Sequence, residues 1–330
     1  MKILVIGLGS MGKRRVRCLK RLGVTDITGF DPRADRREEA GAKYGIATFG
    51  DWDEAKALPA DCWIVSTPPD THVGYGLEAV GRGISFFTEA NVTDARMAEL
   101  CARLAESQVV GAPSCTMRYY PGPRRIKALV ESGAIGRALA FTYQSGQYLP
   151  DWHPWESYKE FYASKRATGA CREIVPFELC WLAELFGPVA ALSCMKDRLG
   201  DLDADIDDIY QLLLRFESKV IGHLMVDVMA RPAVRLFRLL GTGGTIEWDQ
   251  SVKRLRCFGA EGGSWREFSL DGGAVEPGYI HAEEPYVEET QAFLAAVRRE
   301  RPWPYPFAED ERILRLLERA ETSDKSGRHC

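Results

Sequence analysis

The feature that most constrains this chain is Gly7-Leu8-Gly9-Ser10-Met11-Gly12, a complete G-x-G-x-x-G run close to the first residue. The pattern takes its meaning from its flanks. Before it, Lys2 to Ile6 is a short apolar run of the kind that forms a buried parallel strand. After it, Met11 to Leu22 places apolar residues at helical spacing. In a strand–turn–helix, Gly7 permits the tight turn, Gly9 lets the backbone approach a pyrophosphate, and Gly12 lets the helix pack on the strand. The helix start, with Ser10 and Met11, offers free N–H groups and the positive end of the helix dipole to phosphates. A second strand, Asp26 to Asp31, ends in a carboxylate about twenty residues further on, where the dinucleotide fingerprint has its ribose-binding acid. Asp31 accepts from ribose hydroxyls and repels a 2′-phosphate, so NAD is the expected cofactor. Arg33 and Arg36 lie close by and keep NADP as the weaker alternative.

The first third continues in the same alternation. Arg33 to Tyr44 reads as helix, Cys62 to Thr67 as a buried strand ended by Pro68-Pro69, and Thr71 to Arg82 as helix. Ile84 to Glu89 reads as strand, Asp94 to Ser107 as helix and Val109 to Ala112 as strand. Strands alternating with helices predict a doubly wound parallel sheet covered on both faces. Ligands of such sheets lie beyond the carboxyl ends of the strands, so Ser66, Thr67, Pro68 and His72 are expected at the cofactor, with Glu89 on the same edge.

After Tyr119 the pattern changes. Pro121-Gly122-Pro123 reads as a break, followed by a helix over Arg124 to Ser132. From Ala138 the segments alternate with period two. Val189 to Lys196, Ile209 to Glu217, Val220 to Met229, Leu236 to Gly241 and Thr245 to Trp248 read as strands of a large, mostly antiparallel open sheet. Glu173 to Phe186 reads as a helix laid on it, and Tyr286 to Glu300 and Ala308 to Thr322 as closing helices. The expected class is α/β: a Rossmann domain over 1–120 and a substrate and oligomerisation domain over 121–330.

A net charge of -4 gives no basic excess of the kind that nucleic-acid binders carry. The basic runs Lys13-Arg14-Arg15 and Arg36-Arg37 fall in predicted helices and read as solvated faces. No apolar stretch is long enough to span a bilayer, and a cytoplasmic location is expected. The nine cysteines show no CxxC spacing. They read as small core thiols of a reducing compartment, and no metal site is expected.

Beyond Gly7 to Gly12, the chain carries Ser66-Thr67-Pro68-Pro69-Asp70-Thr71-His72, Gly83-Ile84-Ser85-Phe86-Phe87-Thr88-Glu89, Met117-Arg118-Tyr119-Tyr120-Pro121 and Ser132-Gly133-Ala134-Ile135-Gly136. In combination and order these resemble the glucose–fructose oxidoreductase/inositol dehydrogenase (Gfo/Idh/MocA) family over nearly the whole chain. The resemblance implies a Rossmann domain followed by an α/β domain with a large open sheet. It also implies hydride transfer between a nicotinamide and a hydroxyl-bearing carbon of a sugar, cyclitol or nucleotide sugar. The family usually supports this with a lysine just after the glutamate and a histidine on a helix of the second domain. Here the lysine position holds Ala90 and the histidine position Phe177. Neither can move a proton. The segment Gly146 to Trp155 is similar to a branch found among surface-sugar biosynthesis proteins, which implies an amino-sugar or nonulosonate-type substrate.

Alcohol oxidation needs a base near the hydroxyl. The candidates in place of the missing pair are Glu173, His153 and Glu89. Asn91, Arg118, Tyr119, Tyr148, Trp152, Cys171 and Arg172 are the candidate substrate contacts; Arg118 and Arg172 can each grip a carboxylate or phosphate in bidentate fashion. Three functions stand open. One is an NAD-dependent oxidoreductase of a sugar or nucleotide sugar with an unusual acid/base. Another is an enzyme that uses bound NAD without net redox, for epimerisation or elimination. The third is an inactive NAD(H)- or sugar-binding protein. A homodimer or homotetramer is expected, because family members usually pair through the open sheet.

Overall fold

The computed structural model describes residues 1–93, 95–152, 156–271, 273–277 and 282–326. The chain divides into two units, Met1–Thr116 with Glu283–Arg312, and Met117–Ala282 with Ile313–Cys330.

The first unit follows the alternation read from the sequence. Its elements are β1 (Lys2–Ile6), α1 (Ser10–Arg21), β2 (Asp26–Phe30), α2 (Ala34–Tyr44), β3 (Ala47–Phe49) and α3 (Trp52–Ala57). They continue with β4 (Cys62–Val65), α4 (His72–Gly81), β5 (Ser85–Thr88), α5 (Met97–Ala105) and β6 (Gly111–Pro113). The six strands form one sheet in the order β3-β2-β1-β4-β5-β6. Every pairing is parallel. β4 is buried at all four positions, as a strand covered on both faces must be.

The second unit opens with α6 (Pro121–Glu131), β7 (Ala138–Gly146) and α7 (Ala170–Phe186). Seven strands follow: β8 (Val189–Asp197), β9 (Ile209–Phe216), β10 (Ile221–Asp227), β11 (Val234–Gly241), β12 (Gly244–Asp249), β13 (Arg254–Gly259) and β14 (Ser264–Ser269). Two helices, α8 (Glu284–Val297) and α9 (Phe307–Ser326), close the chain. The eight strands β7 to β14 form a sheet ordered β14-β13-β12-β11-β7-β10-β9-β8, antiparallel except between β7 and β10. α7 covers one face through Trp181 against Tyr143 and Phe237 and through Phe186 stacked on Phe141. Cross-strand register puts Leu213, Ile221, Leu236 and Leu240 together on the other face, where all four are exposed.

Three expectations change. The sequence reading gave 121–330 to the second domain, but Glu283–Arg312 belongs with the first unit. The reason is packing: Tyr286 and Val287 of α8 bury Cys18 of α1 with Met11 and Leu22, and Phe293 and Phe307 meet Phe87 and Phe86 of β5. Pro121-Gly122-Pro123 does not break the chain but starts α6. Proline suits a first helical turn, whose N–H groups have no intrahelical acceptor, and a side chain on Gly122 would collide with the Trp248 indole. The basic run of α1 is not a solvated face: Arg14 is 4% and Arg15 0% exposed.

Candidate functional site

The glycine loop joins β1 to α1. Gly7 has φ +88, a left-handed conformation that favours glycine. A Cβ on Gly12 would fall inside the Gly7 carbonyl oxygen, so the turn admits no side chain there. α1 starts without a side-chain cap at Gly9 and without a carboxylate in its first turn, which leaves its positive end to an anion. Asp31, 2% exposed, closes the loop from β2: one oxygen accepts from the Leu8 amide at 2.8 Å, the other from the Arg33 amide at 2.9 Å.

The three arginines beyond it are placed differently. Arg33 turns to Asp35 at 2.6 Å, and Arg37 donates to the carbonyls of Asp31 and Pro32. Arg36 lies over the loop, 3.7 Å from Asp31, and its Nη1 is 3.3 Å from where a Gly9 side chain would start. Arg36, rather than Arg33, is therefore the arginine that lies over the glycine loop. These residues fit a dinucleotide: a glycine-only turn, an uncapped helix start, and an acid at the end of the neighbouring strand.

Ser66, Thr67 and Pro68 follow β4 on the same carboxyl edge and are at least partly exposed. His72 does not share their exposure. It is 1% exposed, with Nε2 2.9 Å from the Thr67 carbonyl and Nδ1 3.0 Å from Asn91 Oδ1. Burial lowers its pKa. The ring ties the Thr67 carbonyl to Asn91. Asn91 is likewise enclosed: it is 3% exposed and donates to Asp310 at 2.8 Å, which also accepts from Tyr305.

Glu89 neither caps a helix nor stands free as a base. Arg15 grips it in a fork, Nε to Oε1 and Nη2 to Oε2, both at 2.7 Å, and Ser66 Oγ donates to Oε1 at 3.0 Å. Arg15 also donates to Glu289 of α8 at 2.8 Å. Glu289, 0% exposed, takes three more donors: Ser114 Oγ, the Cys115 amide and Thr116 Oγ1. Burial opposes the Arg15 charge, but Glu89 and Glu289 outweigh it and hold the guanidinium pKa well above its ordinary value. Glu89 is thus held in one orientation at the sheet edge. Arg15 and Glu289 were not among the expected residues. A basic residue one turn into a helix gives no sign of burial in one sequence, and Glu289 arrives from far along the chain.

In the second unit α7 carries the other candidates. Cys171 is enclosed: it is 0% exposed, its Sγ is 3.7 Å from the Val226 carbonyl, and burial raises its pKa. Arg172 pairs with Glu321 at 2.8 Å and donates to the Ala167 carbonyl. Glu173 accepts from Tyr162 Oη at 2.9 Å and is partly exposed. Arg118 donates to the Cys180 carbonyl, and Arg124 lies over the Tyr119 ring. Tyr148 and Trp152 remain half-buried, with Arg231 over the Tyr148 ring at 4.9 Å. His153 lies outside the described residues. Phe177 is half-buried. Next to it, Glu178 is 0% exposed and receives Tyr143 Oη, Ser145 Oγ, Trp181 Nε1 and Arg235 Nη2. Arg235 was also missed. It stands at an inward position of a strand that otherwise reads as ordinary alternation.

Among the described residues, no group of histidine, cysteine and acidic side chains can hold a metal ion, and no helix is long and apolar enough to cross a membrane.

Residues 1–111 match the model of the oxidoreductase family with an NAD-binding Rossmann fold, and residues 124–247 match the Gfo/Idh/MocA C-terminal domain. No protein of curated function matches the sequence. Among solved structures, an oxidoreductase from Agrobacterium radiobacter, bound to NAD+, L-tartaric acid and magnesium, superposes with a TM-score of 0.88 at 17% identity, covering 100% of this chain and 98% of that one. A levoglucosan dehydrogenase with NADH gives 0.86 at 17% identity, covering 100% and 98%. An NADPH-dependent oxidoreductase from Desulfitobacterium hafniense, itself a tentative assignment, gives 0.83 at 16% identity, covering 99% and 96%. With a Rossmann unit around a glycine-only loop, a second unit built on a large open sheet, and both family models matched in order, the chain belongs to the Gfo/Idh/MocA oxidoreductase family.

Proposed function

We propose that this protein is an NAD-dependent oxidoreductase acting on a hydroxyl of a sugar or nucleotide sugar, in surface-polysaccharide or amino-sugar biosynthesis. The observation that carries the reading is the glycine loop closed by Asp31. Similar folds bind NAD+, NADH or, in levoglucosan dehydrogenase, NADH with levoglucosan. The bound nicotinamide supplies hydride acceptance or donation. The chain's own residues do the rest. The start of α1 holds the pyrophosphate, and Asp31 takes the ribose hydroxyls and favours NAD over NADP. Arg15 and Ser66 hold the Glu89 carboxylate in a fixed orientation at the strand edge. Ala90 and Phe177 cannot carry the alcohol proton. That role falls to Glu173, whose carboxylate accepts from Tyr162, with His153 as the other candidate.

Identification of the small molecules released on denaturation, followed by nicotinamide absorbance on a panel of nucleotide sugars and nonulosonate precursors, tests the reading. Bound NAD with turnover that Glu173→Gln reduces at least tenfold supports it. Absence of any affinity for NAD or NADP overturns it. The loss of both usual proton carriers favours a second reading, NAD used without net redox, which bound cofactor with epimerised or eliminated product would reveal. Bound cofactor and sugar without any product would mark an inactive binder. The exposed leucines and Ile221 on the open sheet support pairing into a homodimer or homotetramer. Light scattering at monomer mass would refute that.

A further inference from the structure

We propose that Arg235 in the second unit anchors an acidic group, carboxylate or phosphate, on the sugar substrate; this rests on the oxidoreductase reading and deepens it. Arg235 is the second residue of β11, on the face that also carries Phe237 and Leu239 toward α7. A charged side chain there needs a reason. Its strand neighbour across the register is Ser145 of β7, and both meet Glu178.

The donors outnumber the acceptors. Glu178 Oε1 receives Ser145 Oγ at 2.9 Å and Arg235 Nη2 at 2.7 Å; Oε2 receives Tyr143 Oη at 2.6 Å and Trp181 Nε1 at 3.0 Å. A carboxylate has about four lone-pair sites, so Glu178 is filled. Arg235 Nε–H is buried and has no hydrogen-bond partner among the described residues, although the side chain as a whole is still 13% exposed. A buried donor without an acceptor is rare in a native fold, and the exposed part of this side chain is where a partner from outside can meet the guanidinium.

The chemistry of that partner follows from the count. A sugar hydroxyl both donates and accepts, and here its proton would find Glu178 already saturated. A group that only accepts suits the place better, and beside a guanidinium that group is an anion. The neighbourhood agrees. β7 ends one residue after Ser145, and the chain continues to Tyr148, over whose ring lies the Arg231 guanidinium, itself 2.7 Å from Asp151. Tyr120 places its ring 5.8 Å from the Arg235 guanidinium carbon. One sheet end thus gathers Arg235, paired with Glu178, and Arg231, paired with Asp151, beside the half-buried Tyr148 ring, an aromatic face on which sugar C–H groups pack, while Tyr120 backs Arg235 from the core.

The test is calorimetric titration of the full chain, with and without NAD, using D-glucuronate, D-glucose 6-phosphate and D-glucose. At least one acidic sugar is expected to bind tenfold or more tightly than glucose, and the better of the two tells carboxylate from phosphate. Arg235→Lys keeps a charge opposite Glu178 but removes Nε, and is expected to abolish the preference while leaving NAD affinity unchanged. If that variant does not fold, the double variant Arg235→Gln with Glu178→Gln removes both charges together and should give the same loss. Equal binding of all three sugars, or a preference that survives in either variant, overturns the proposal. Failure to bind NAD is a separate result, which strikes the oxidoreductase reading instead.

Discussion

Replacing Glu289 with glutamine leaves the shape of the side chain and removes its charge. Four donors converge on the two oxygens: Ser114 Oγ at 3.0 Å, the Cys115 amide at 2.7 Å, Arg15 Nη2 at 2.8 Å and Thr116 Oγ1 at 2.8 Å. A glutamine presents one oxygen and one NH2, so whichever way it turns, a donor that cannot accept, the Cys115 amide or Arg15 Nη2, faces another donor. Arg15, with a side chain 0% exposed, would also keep only Glu89 as a counter-charge. Breaking one arm of a buried charge network costs about 3–5 kcal/mol. For domains of roughly 150–250 residues each kcal/mol moves Tm by about 2–4 °C, so the variant is expected to melt about 6–20 °C below the parent. Thermal unfolding followed by circular dichroism reads this directly. A shift of under about 2 °C would mean that Glu289 does not carry the charge balance of Arg15, and the argument that this network fixes Glu89 in place would fall with it.

Three further outcomes follow from the same geometry. Arg36→Ala is expected to weaken NADP binding by about tenfold more than NAD binding, about 1.4 kcal/mol, because Arg36 is the arginine over the glycine loop; equal losses in paired titrations would remove it from the ribose end. His72 is held neutral by burial to below its ordinary 6.5, so the unfolded chain binds the extra proton first: stability is full above that pH and drains away as pH falls. His72→Gln should therefore show a flatter decline of Tm between about pH 7 and 5, and an unchanged slope would contradict the burial. Seven of the eight described cysteines are buried, and burial pushes the Cys18 and Cys62 thiols up to about 12. Alkylation of the native protein near pH 8, read by peptide mass spectrometry, should reach Cys101 alone among those eight; prompt labelling of Cys171 would refute its placement.

The first unit was legible because its signals are local. An apolar run, a glycine loop and a helical period determine β1 and α1 within some twenty positions, and Asp31 lies where the loop requires an acid. The second sheet was legible as alternation but not as topology. Nothing in the segments of β7 and β10 says that they pair in parallel, since register is a property of partners. β13 and β14 escaped because β14 is an edge strand, exposed at five of six positions and rich in charge, so it lacks an apolar face to betray it. The site divides in the same way. Residues that act through backbone shape, Gly7 and Gly12, can be read in one dimension. Residues that act through a partner far along the chain cannot. Arg15 reads as one more basic residue on a helix until Glu289 is beside it, and Asn91 reads as a polar group near a ligand until Asp310 accounts for it.

The reach of α8 back to α1 also sets an order of events during synthesis. Glu289 lies 274 residues after Arg15. At roughly 5–20 residues per second, the nascent chain must wait on the order of tens of seconds between emergence of the guanidinium and arrival of its second carboxylate. Through that interval the glycine loop and five of the helices exist beside an arginine that only Glu89 can neutralise, with the apolar patch around Cys18 open to water. Most of the nucleotide-binding unit leaves the ribosome before the open-sheet unit yet is finished after it, and a chain stopped short of residue 283 is expected to be a client for chaperones rather than a smaller working version of the protein.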